Sequence, residues 1–365
     1  MRVLHIFKNY IPENFTGIPR VIEAIAEGTT PLGVHASVFT LSPRPAREQP
    51  VKIGSHVVYQ APLTFEIRSS GFSLAAFNIF KRLTDKADIL HYHFPWPMGD
   101  FLHLACGKGK PALVTYHSDI VKQKILRHPY APVMHTFLSK MDAIIATSPN
   151  YADSSPVLRR YAAKTKVIPI GITPDAPSDP ARIFDWHKKL GEQFFLFIGS
   201  HRYYKGLPFL IEAARRVPYN IVLIGEVNAD EIKGCPENVT VIGKVNDADK
   251  TAILELSRGL ILPSHLRAEA FGVVLLEAMR ASKPIVTCEI DSGMSYVNRH
   301  EETGLILPPR DPDALAAAMT RLSEHPDEAA VFGAVGRKRF EAEFQASIMA
   351  QRYHSLYSKL LQTPR

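Results

Sequence analysis

Cysteine, long apolar runs and repeats are all scarce in this sequence. Its 365 residues contain three cysteines, Cys106, Cys235 and Cys288, which are too far apart in the sequence to suggest a metal-type pair or a disulfide framework. No apolar run approaches the roughly 20 residues that span a bilayer. The opening MRVLHIFKNY lacks the layout of a signal peptide. We therefore predict a cytoplasmic protein in a reducing compartment.

The charge is unevenly distributed between the two halves of the chain. Residues 1–175 contain 20 Lys and Arg against 12 Asp and Glu, whereas residues 176–365 contain 23 against 24. The basic first half indicates an anionic partner, for which nucleic acid and an anionic membrane surface are the candidates. A basic, solvated surface without a partner is the alternative.

Short runs rich in β-branched residues alternate with helical patterns, which is typical of parallel sheets covered on both faces. The predicted strands are 2–7, 36–41, 88–93, 112–116, 143–147, 166–170, 194–198, 220–224, 239–242, 259–262 and 284–287. The Pro- and Gly-rich segment 167–180 marks the boundary between two series of strands. We predict an α/β protein with two Rossmann-like domains, 1–172 and 173–340, facing a central cleft. A C-terminal helix in 341–365, read from the amphipathic stretch 337–361, is expected to pack back on the first domain.

Two glutamates, Glu269 and Glu277, lie eight residues apart in AEAFGVVLLEAMRAS. On one continuous helix they would be roughly 80° apart and separated by a rise of about 12 Å. Because a glycosidase pair needs its carboxyl groups about 5–9.5 Å apart, these two suit the ends of an elongated ligand better. Residues 271–273 predict a helix start, where free N–H groups attract phosphate. A surface helix with two solvated glutamates is the alternative.

Three stretches together resemble the retaining GT-B glycosyltransferases of family four. They are EAFGVVLLEAM with its E-x7-E spacing, FLFIGSHRYYKGLPFLIEAA (195–214) and ETGLILPPRDPDALAAAM (302–319). The resemblance covers nearly the whole chain. It implies a GT-B fold with an acceptor domain followed by a nucleotide-sugar donor domain, and no metal site or other cofactor.

The resemblance also implies roles for residues of the second domain. Glu269 is expected to hold hydroxyls of the transferred sugar, and Glu277 the ribose hydroxyls of the nucleotide. Lys205, helped by Arg202, is expected to pair with the departing pyrophosphate. Ser200 stands where many members of the family have arginine. The main-chain amides expected to face the sugar and its phosphates are those of Phe271, Gly272 and Val273.

In the first domain, PENFTGIPRVI (12–22) resembles the glycine loop of the family, with Thr16-Gly17 in place of two glycines. Gly17 is expected to approach the donor phosphates or the acceptor. His117, at a strand end in VTYHSDIVKQKIL, matches a family histidine that lines the cleft beside the donor sugar. We expect it to position the sugar and assign it no proton transfer.

Several other polar motifs are interpreted as structural. His91 and His93 in HYHFPWP could suggest a metal pair, but no third ligand is evident in the sequence, and a strand end among core aromatics explains them better. Asp247-Ala248-Asp249 and Asp311-Pro312-Asp313 look like the metal-binding D-x-D motif of other glycosyltransferases. Because both precede helical patterns, we interpret them as helix caps and predict no metal site.

HYHFPWP, TYHSDIV and RYYKGL are similar to segments of bacterial mannosyl- and D-rhamnosyltransferases. This similarity predicts a retaining transfer of mannose or D-rhamnose from a GDP-sugar to a polyprenyl-diphosphate-linked glycan in O-antigen or surface polysaccharide assembly. The basic segment 120–140 has the composition of an element at the anionic inner face of the cytoplasmic membrane, and a plain amphipathic helix with a solvated face fits it equally well. A peripheral membrane position and no nucleic-acid partner are expected. The alternatives are a UDP-sugar-dependent transferase, a nucleotide-sugar epimerase, and an inactive membrane-associated scaffold.

Overall fold

The computed structural model describes residues 1–15, 17–67, 70–107, 109–120, 124–174, 178–200, 202–226 and 232–363, without the side chains of 124–128. These residues form two compact units. The first comprises Met1–Thr173 and Ala346–Arg365, and the second Pro174–Gln345.

The first unit is built on an eight-stranded sheet. Its strands, together with the hairpin β5–β6, are β1 (Arg2–Ile6), β2 (His35–Ser42), β3 (Val51–Ile53), β4 (His56–Pro62), β5 (Phe65–Ile67), β6 (Ser70–Phe72), β7 (Ile89–Phe94), β8 (Ala112–Tyr116), β9 (Ala143–Ala146) and β10 (Thr165–Val167). The order is β10-β9-β8-β7-β1-β2-β4-β3, parallel except for the edge strand β3. The strand order reverses between β1 and β7, so the sheet has a switch point there.

Helices cover this sheet, and the C-terminal helix is one of them. The helices of the first unit are Ile18–Thr29, Ala75–Lys86, Pro97–Cys106, Lys124–Lys140, Pro149–Ser154, Pro156–Arg160 and Ala346–Gln362, with 3₁₀ turns at Thr30–Leu32 and Ala162–Lys164. The C-terminal helix lies so close to the first helix that a Cβ on Gly28 would be 2.8 Å from that of Ala350. Its Tyr353 and Tyr357 are buried against the sheet.

The second unit contains a six-stranded, fully parallel sheet. Its strands are β11 (Phe195–Ile198), β12 (Ile221–Ile224), β13 (Val239–Gly243), β14 (Gly259–Leu262), β15 (Ile285–Cys288) and β16 (Gly304–Leu307). The order β13-β12-β11-β14-β15-β16 is the doubly wound Rossmann order, with its switch point between β11 and β14. The helices are Pro180–Leu190, Leu207–Ala214, Asp247–Leu256, Val273–Arg280, Met294–Val297, Pro312–Glu324 and Pro326–Glu343, and a 3₁₀ turn covers Tyr203–Lys205.

The prediction of an α/β protein with two Rossmann-like sheets is confirmed, and every predicted strand overlaps an observed one. Strands β3 to β6 and β16 were missed. Of these, β3, β5 and β6 are only three residues long, whereas β16 has the same sequence, GLIL, as the predicted β14. The stretch 337–361, from which the C-terminal helix was predicted, is divided between two helices. The helix ends at Glu343 and a new one begins at Ala346, because Phe344 is fully buried against the rings of Phe271 and Tyr296.

Candidate active site

The loop after β11 carries Lys205 to the switch point of the second sheet. Gly206 has φ 75°, and a Cβ there would lie 2.0 Å from the carbonyl oxygen of Pro263, which follows β14. Only glycine lets the two loops approach this closely. Lys205 Nζ consequently reaches the β14 loop and donates to Glu269 Oε2 at 2.8 Å. The structure therefore brings together two residues that are 64 positions apart and that the sequence assigned to one donor site.

The Lys205–Glu269 ion pair is largely removed from solvent. Its side chains retain 15% and 13% of their exposure. Burial lowers the pKa of Lys205, but the charge and hydrogen bond of Glu269 outweigh it and raise that pKa above its ordinary value. The ring of Tyr204 lies 5.9 Å from Lys205 Nζ. Arg202 is exposed at the start of the 3₁₀ turn, close enough for its charge to act on Lys205. The site thus presents a permanently protonated lysine at physiological pH.

Glu277 is held in the same way by a lysine that the sequence analysis missed. Lys250, on helix Asp247–Leu256, donates to Glu277 Oε1 at 2.8 Å and to Asp247 Oδ1 at 3.1 Å. The other carboxylate oxygen, Glu277 Oε2, is buried and has no hydrogen-bond partner among the described residues. A buried carboxylate oxygen of this kind is an acceptor in need of a donor. Lys250 carries no motif signal, because only the packing of its helix brings it to Glu277.

Residues 271–273 begin helix Val273–Arg280, as predicted, with Gly272 in the left-handed conformation at the N-cap. Glu269, however, lies in the loop before this helix, so the helical separation calculated for the two glutamates was wrong. The side chain of Phe271 is buried against Phe344. The first N–H groups of a helix have no intrahelical partner, and no described residue accepts from those of Phe271, Gly272 and Val273.

Two further polar side chains were missed in the loop after β14. Ser264 Oγ and His265 Nδ1 are both buried without a hydrogen-bond partner among the described residues. The backbone N–H of His265 donates to the carbonyl of Tyr204 at 2.9 Å, which ties this loop to that of Lys205. Their position directly after a central parallel strand could have identified them, since ligands bind at the carboxyl ends of such strands.

In the first unit, four histidines lie on one face of the sheet beside its switch point. His5 of β1 pairs in register with His91 of β7, and His93 pairs with Thr115 of β8, two residues before His117. His5 Nδ1 lies 3.1 Å from His93 Nε2, and His93 Nδ1 lies 3.0 Å from His117 Nε2.

The remaining histidine of this face anchors the C-terminal helix. His91 Nδ1 lies 2.7 Å from the hydroxyl of Tyr357, and its Nε2 lies 2.7 Å from Thr115 Oγ1. The hydroxyl of Thr115 also lies 2.8 Å from the hydroxyl of Tyr353. The expectation that no third histidine accompanies His91 and His93 was wrong, because β1 places His5 beside them. A pattern within one strand cannot reveal a partner on its neighbour.

All four histidines are neutral at physiological pH. Burial lowers the pKa of His5 and of His117 to about 3, and lowers those of His91 and His93 well below the ordinary value. His117 is therefore an uncharged imidazole at the end of β8. An uncharged imidazole can donate a hydrogen bond to a hydroxyl group or accept one from it.

Gly17 has φ 65° and is the N-cap of helix Ile18–Thr29, with no atom within 4 Å of a Cβ added to it. Thr16 and Lys122 lie outside the described residues, as do the side chains of Lys124 and Arg127. The predicted glycine-loop geometry and basic surface at these positions therefore stay predictions.

The interpretation of the two D-x-D motifs as caps is half right. Asp311 caps helix Pro312–Glu324 by accepting from the N–H of Ala314 at 2.9 Å. At the other motif the cap is Asn246, whose side chain accepts from the N–H of Asp249 at 2.8 Å. Asp249 itself accepts from Arg182 and from the indole of Trp186.

Two Rossmann-like sheets, with Lys205 and Glu269 paired in the loops that follow the two strands at the switch point of the second, are the arrangement of the GT-B class of glycosyltransferases. Residues 15–176 match the family model described as Glycosyltransferase Family 4, and residues 179–339 match Glycosyl transferases group 1. The chain belongs to this glycosyltransferase family. Its substrates are accordingly a nucleotide-sugar donor and a glycan acceptor.

Named relatives and a solved structure agree with this assignment. The D-rhamnosyltransferase WbpZ of Pseudomonas aeruginosa is 44% identical over 95% of this chain and 93% of its own length. The O-antigen chain mannosyltransferase C of Escherichia coli is 42% identical over the whole of both chains. The sucrose-phosphate synthase of Thermosynechococcus elongatus superposes with a TM-score of 0.81 at 22% identity over 98% of each chain, which supports the fold. No helix among the described residues is both long and apolar enough to cross a bilayer.

Proposed function

We propose that this protein is a retaining glycosyltransferase that moves mannose or D-rhamnose from a GDP-sugar to a lipid-linked glycan in O-antigen or surface polysaccharide assembly. Two relatives over 40% identical along almost the whole chain support the sugar class and the pathway. The GDP moiety and the polyprenyl-diphosphate carrier rest on the resemblance of HYHFPWP and RYYKGL to bacterial mannosyl- and D-rhamnosyltransferases.

The observation that carries the proposal is the arrangement of charge at the switch point of the second sheet. Lys205–Glu269 and Lys250–Glu277 form two mostly buried ion pairs. The Oε2 atom of Glu277 has no partner among the described residues. A buried carboxylate oxygen accepts hydrogen bonds from neutral hydroxyl groups without a further charge to balance. This is the chemistry needed to hold ribose at Glu277 and sugar hydroxyls at Glu269.

Lys205 and Arg202 supply the positive charge for the reaction. As the bond between sugar and diphosphate breaks, negative charge grows on the leaving diphosphate, and a lysine kept protonated by Glu269 stabilises it. Arg202 adds a planar fork of donors that suits phosphate. The free amides at the start of helix Val273–Arg280 offer further donors to phosphate. We assign no protein nucleophile, because Glu269 is held in its ion pair with Lys205.

The first unit is assigned to the acceptor and to the sugar. His117 presents a neutral imidazole that can form a hydrogen bond with a sugar hydroxyl. Gly17 is the N-cap of the helix that begins at Ile18, and we assign it to approach the donor phosphates or the acceptor. We also propose that this unit rests on the anionic inner face of the cytoplasmic membrane. Its basic sequence and its exposed apolar side chains, Phe65, Ile67, Leu74 and Phe101, support that surface.

Donor binding tests the assignment first. We expect GDP and its hexose conjugates to raise the melting temperature of the wild type, and Glu277→Ala to abolish the shift. Glu341→Ala removes a carboxylate from an exposed ion pair of the same unit and is the matched control. A preference for UDP would refute the GDP assignment while preserving the site. No shift with any nucleotide would favour the scaffold alternative.

Turnover tests the reaction. Purified protein is incubated with GDP-mannose or GDP-D-rhamnose and a polyprenyl-diphosphate-linked glycan, and the anomeric configuration of the product is read by NMR. Retention at the anomeric carbon, undiminished by a chelator, is the expected result. An inverted product contradicts the retaining assignment. Release of nucleotide with an altered free sugar, and no coupled product, points to an epimerase.

Membrane binding is tested with vesicles. Co-sedimentation with phosphatidylglycerol vesicles that is lost with phosphatidylcholine vesicles or at high salt is expected. Replacing Phe65 and Leu74 with serine should weaken it. Equal recovery with both lipids, or with neither, would refute the proposed surface.

A further inference from the structure

His117 is the last member of a row of histidines that crosses three neighbouring strands. The row runs from His5 on β1 through His93 on β7 to His117 after β8, with the two nitrogen–nitrogen distances at 3.1 and 3.0 Å. The rings of consecutive members are nearly coplanar, with interplanar angles of 25° and 22° and centroid distances of 5.4 and 5.3 Å, so they meet end to end as in-plane hydrogen bonds require. All three side chains are buried, with exposures of 0%, 2% and 6%. Each nitrogen–nitrogen contact needs one proton, and each neutral ring has one donor and one acceptor nitrogen. Both hydrogen bonds of the row must therefore run in the same direction.

The inner end of the row decides that direction. His5 Nε2 is buried and has no partner among the described residues. In the opposite arrangement every ring would carry its proton on Nε2, with His117 donating to His93 and His93 donating to His5. The Nε2–H of His5 would then be buried without an acceptor. Orphaned N–H groups are rarer in proteins than under-used acceptors. The favoured arrangement therefore places the proton of every ring on Nδ1, with His5 donating to His93 and His93 donating to His117.

In this arrangement His117 keeps a proton on Nδ1, for which the described residues offer no hydrogen-bond partner. Its Nε2 is occupied as the acceptor from His93. His91 stacks on His93 at a centroid distance of 4.4 Å and is itself held through both nitrogens, which fixes the plane of His93. Of the six ring nitrogens of His5, His91 and His93, only His5 Nε2 lacks a hydrogen-bond partner among the described residues, so the three rings have no set of free lone pairs to share with a metal. The geometry therefore favours a hydrogen-bonded row over a metal site.

We propose that His93, backed by His5, is a positioning residue that fixes His117 as its Nδ1–H tautomer, so that His117 offers a hydrogen-bond donor to an oxygen of the transferred sugar. The contact with the sugar rests on the proposed function. The tautomer itself does not, since it follows from residues of this chain alone. Neither His5 nor His93 touches the substrate in this proposal.

The tautomers are read from two-bond ¹H–¹⁵N correlation spectra of the ¹⁵N-histidine-labelled, deuterated full chain without substrate. We expect His93 and His117 to carry the proton on Nδ1. His93→Leu removes both hydrogen bonds and should release His117 to the Nε2–H form or to an exchanging mixture. His93→Asn keeps a side-chain N–H near the place of Nδ1 and should preserve the tautomer of His117. Tyr357→Phe removes one partner of His91 but leaves both nitrogen–nitrogen contacts of the row in place, so the tautomer of His117 should not change.

Steady-state kinetics distinguishes a positioning role of His93 from a purely structural one. With the nucleotide sugar, His93→Leu should lower kcat by about ten- to a hundred-fold, with little change in KM, and His93→Asn should recover most of the loss. Proton on Nε2 of wild-type His117, or a tautomer unaffected by His93→Leu, overturns the proposal. So does an unchanged kcat in His93→Leu, or stoichiometric zinc bound by the purified protein and lost in His5→Gln. Absence of turnover with every nucleotide sugar, alongside the expected spectra, refutes the proposed function and the sugar contact together.

Discussion

Replacing Lys205 with methionine would keep the aliphatic stem of this side chain and remove its charge from Glu269. The two charged atoms are 2.8 Å apart. Their direct attraction is about 6 kcal/mol at an effective dielectric constant of about 20, and about 1.5 kcal/mol in water. Breaking a fully buried pair costs about 3–5 kcal/mol because one charge is left buried and unpaired. Since both side chains retain some exposure, we expect the free energy of unfolding of the second unit to fall by about 2–3 kcal/mol.

The double variant Lys205→Met, Glu269→Gln should be within about 1 kcal/mol of the wild type, because no unpaired charge remains. It should also fail to respond to nucleotide sugar. The assay is urea unfolding followed by tryptophan fluorescence. The chain has two tryptophans, one in each unit, so a Trp96→Phe background leaves Trp186 as the reporter of the second unit.

The matched control is Glu341→Gln, which breaks the exposed Arg337–Glu341 pair and should cost no more than about 0.5 kcal/mol. If Lys205→Met lowers the free energy of unfolding by as little as this control, the Lys205–Glu269 pair contributes no more than an exposed ion pair. The argument from its burial then fails. If the double variant is as unstable as the sum of the two single variants, the loss does not come from an unpaired charge.

Three further outcomes are expected. Tyr357→Phe leaves His91 Nδ1 buried without its partner and should lower the stability of the first unit by about 1–3 kcal/mol in urea unfolding; no change would contradict this. The folded-state pKa of His5 and of His117 is about 3 and the unfolded value about 6.5, so the unfolded chain binds the extra protons between these limits. Stability should then fall with pH below about 6.5, by about 1.4 kcal/mol per pH unit for each of the two, and glutamine at either position should reduce the slope measured by acid titration. Gly206→Ala forces a Cβ to 2.0 Å from a backbone carbonyl at positive φ and should cost at least about 2 kcal/mol in thermal unfolding, whereas wild-type stability would show that the loop can move freely.

The sequence by itself determined the class of fold and singled out the candidate site residues of the second domain. Continuous apolar runs such as FLFI and IVLI signal buried parallel strands because both faces of such strands are covered. The E-x7-E spacing and RYYKG are local patterns, so Glu269, Glu277 and Lys205 could be chosen without a structure. Asp311 could likewise be identified as a cap, since capping depends on the residues that follow it directly.

Only the tertiary structure decided which of these groups face one another. Lys250 reaches Glu277 from another helix, and His5 reaches His93 from another strand. Both contacts depend on the order of strands and on helix packing, for which neighbouring residues carry no signal. The break before Ala346 was missed for the same reason, because Phe344 leaves the helix to enter a core formed by distant residues. Local patterns predicted most of the elements and the candidate site residues, while burial and pairing across elements set the charge and the partners of those residues.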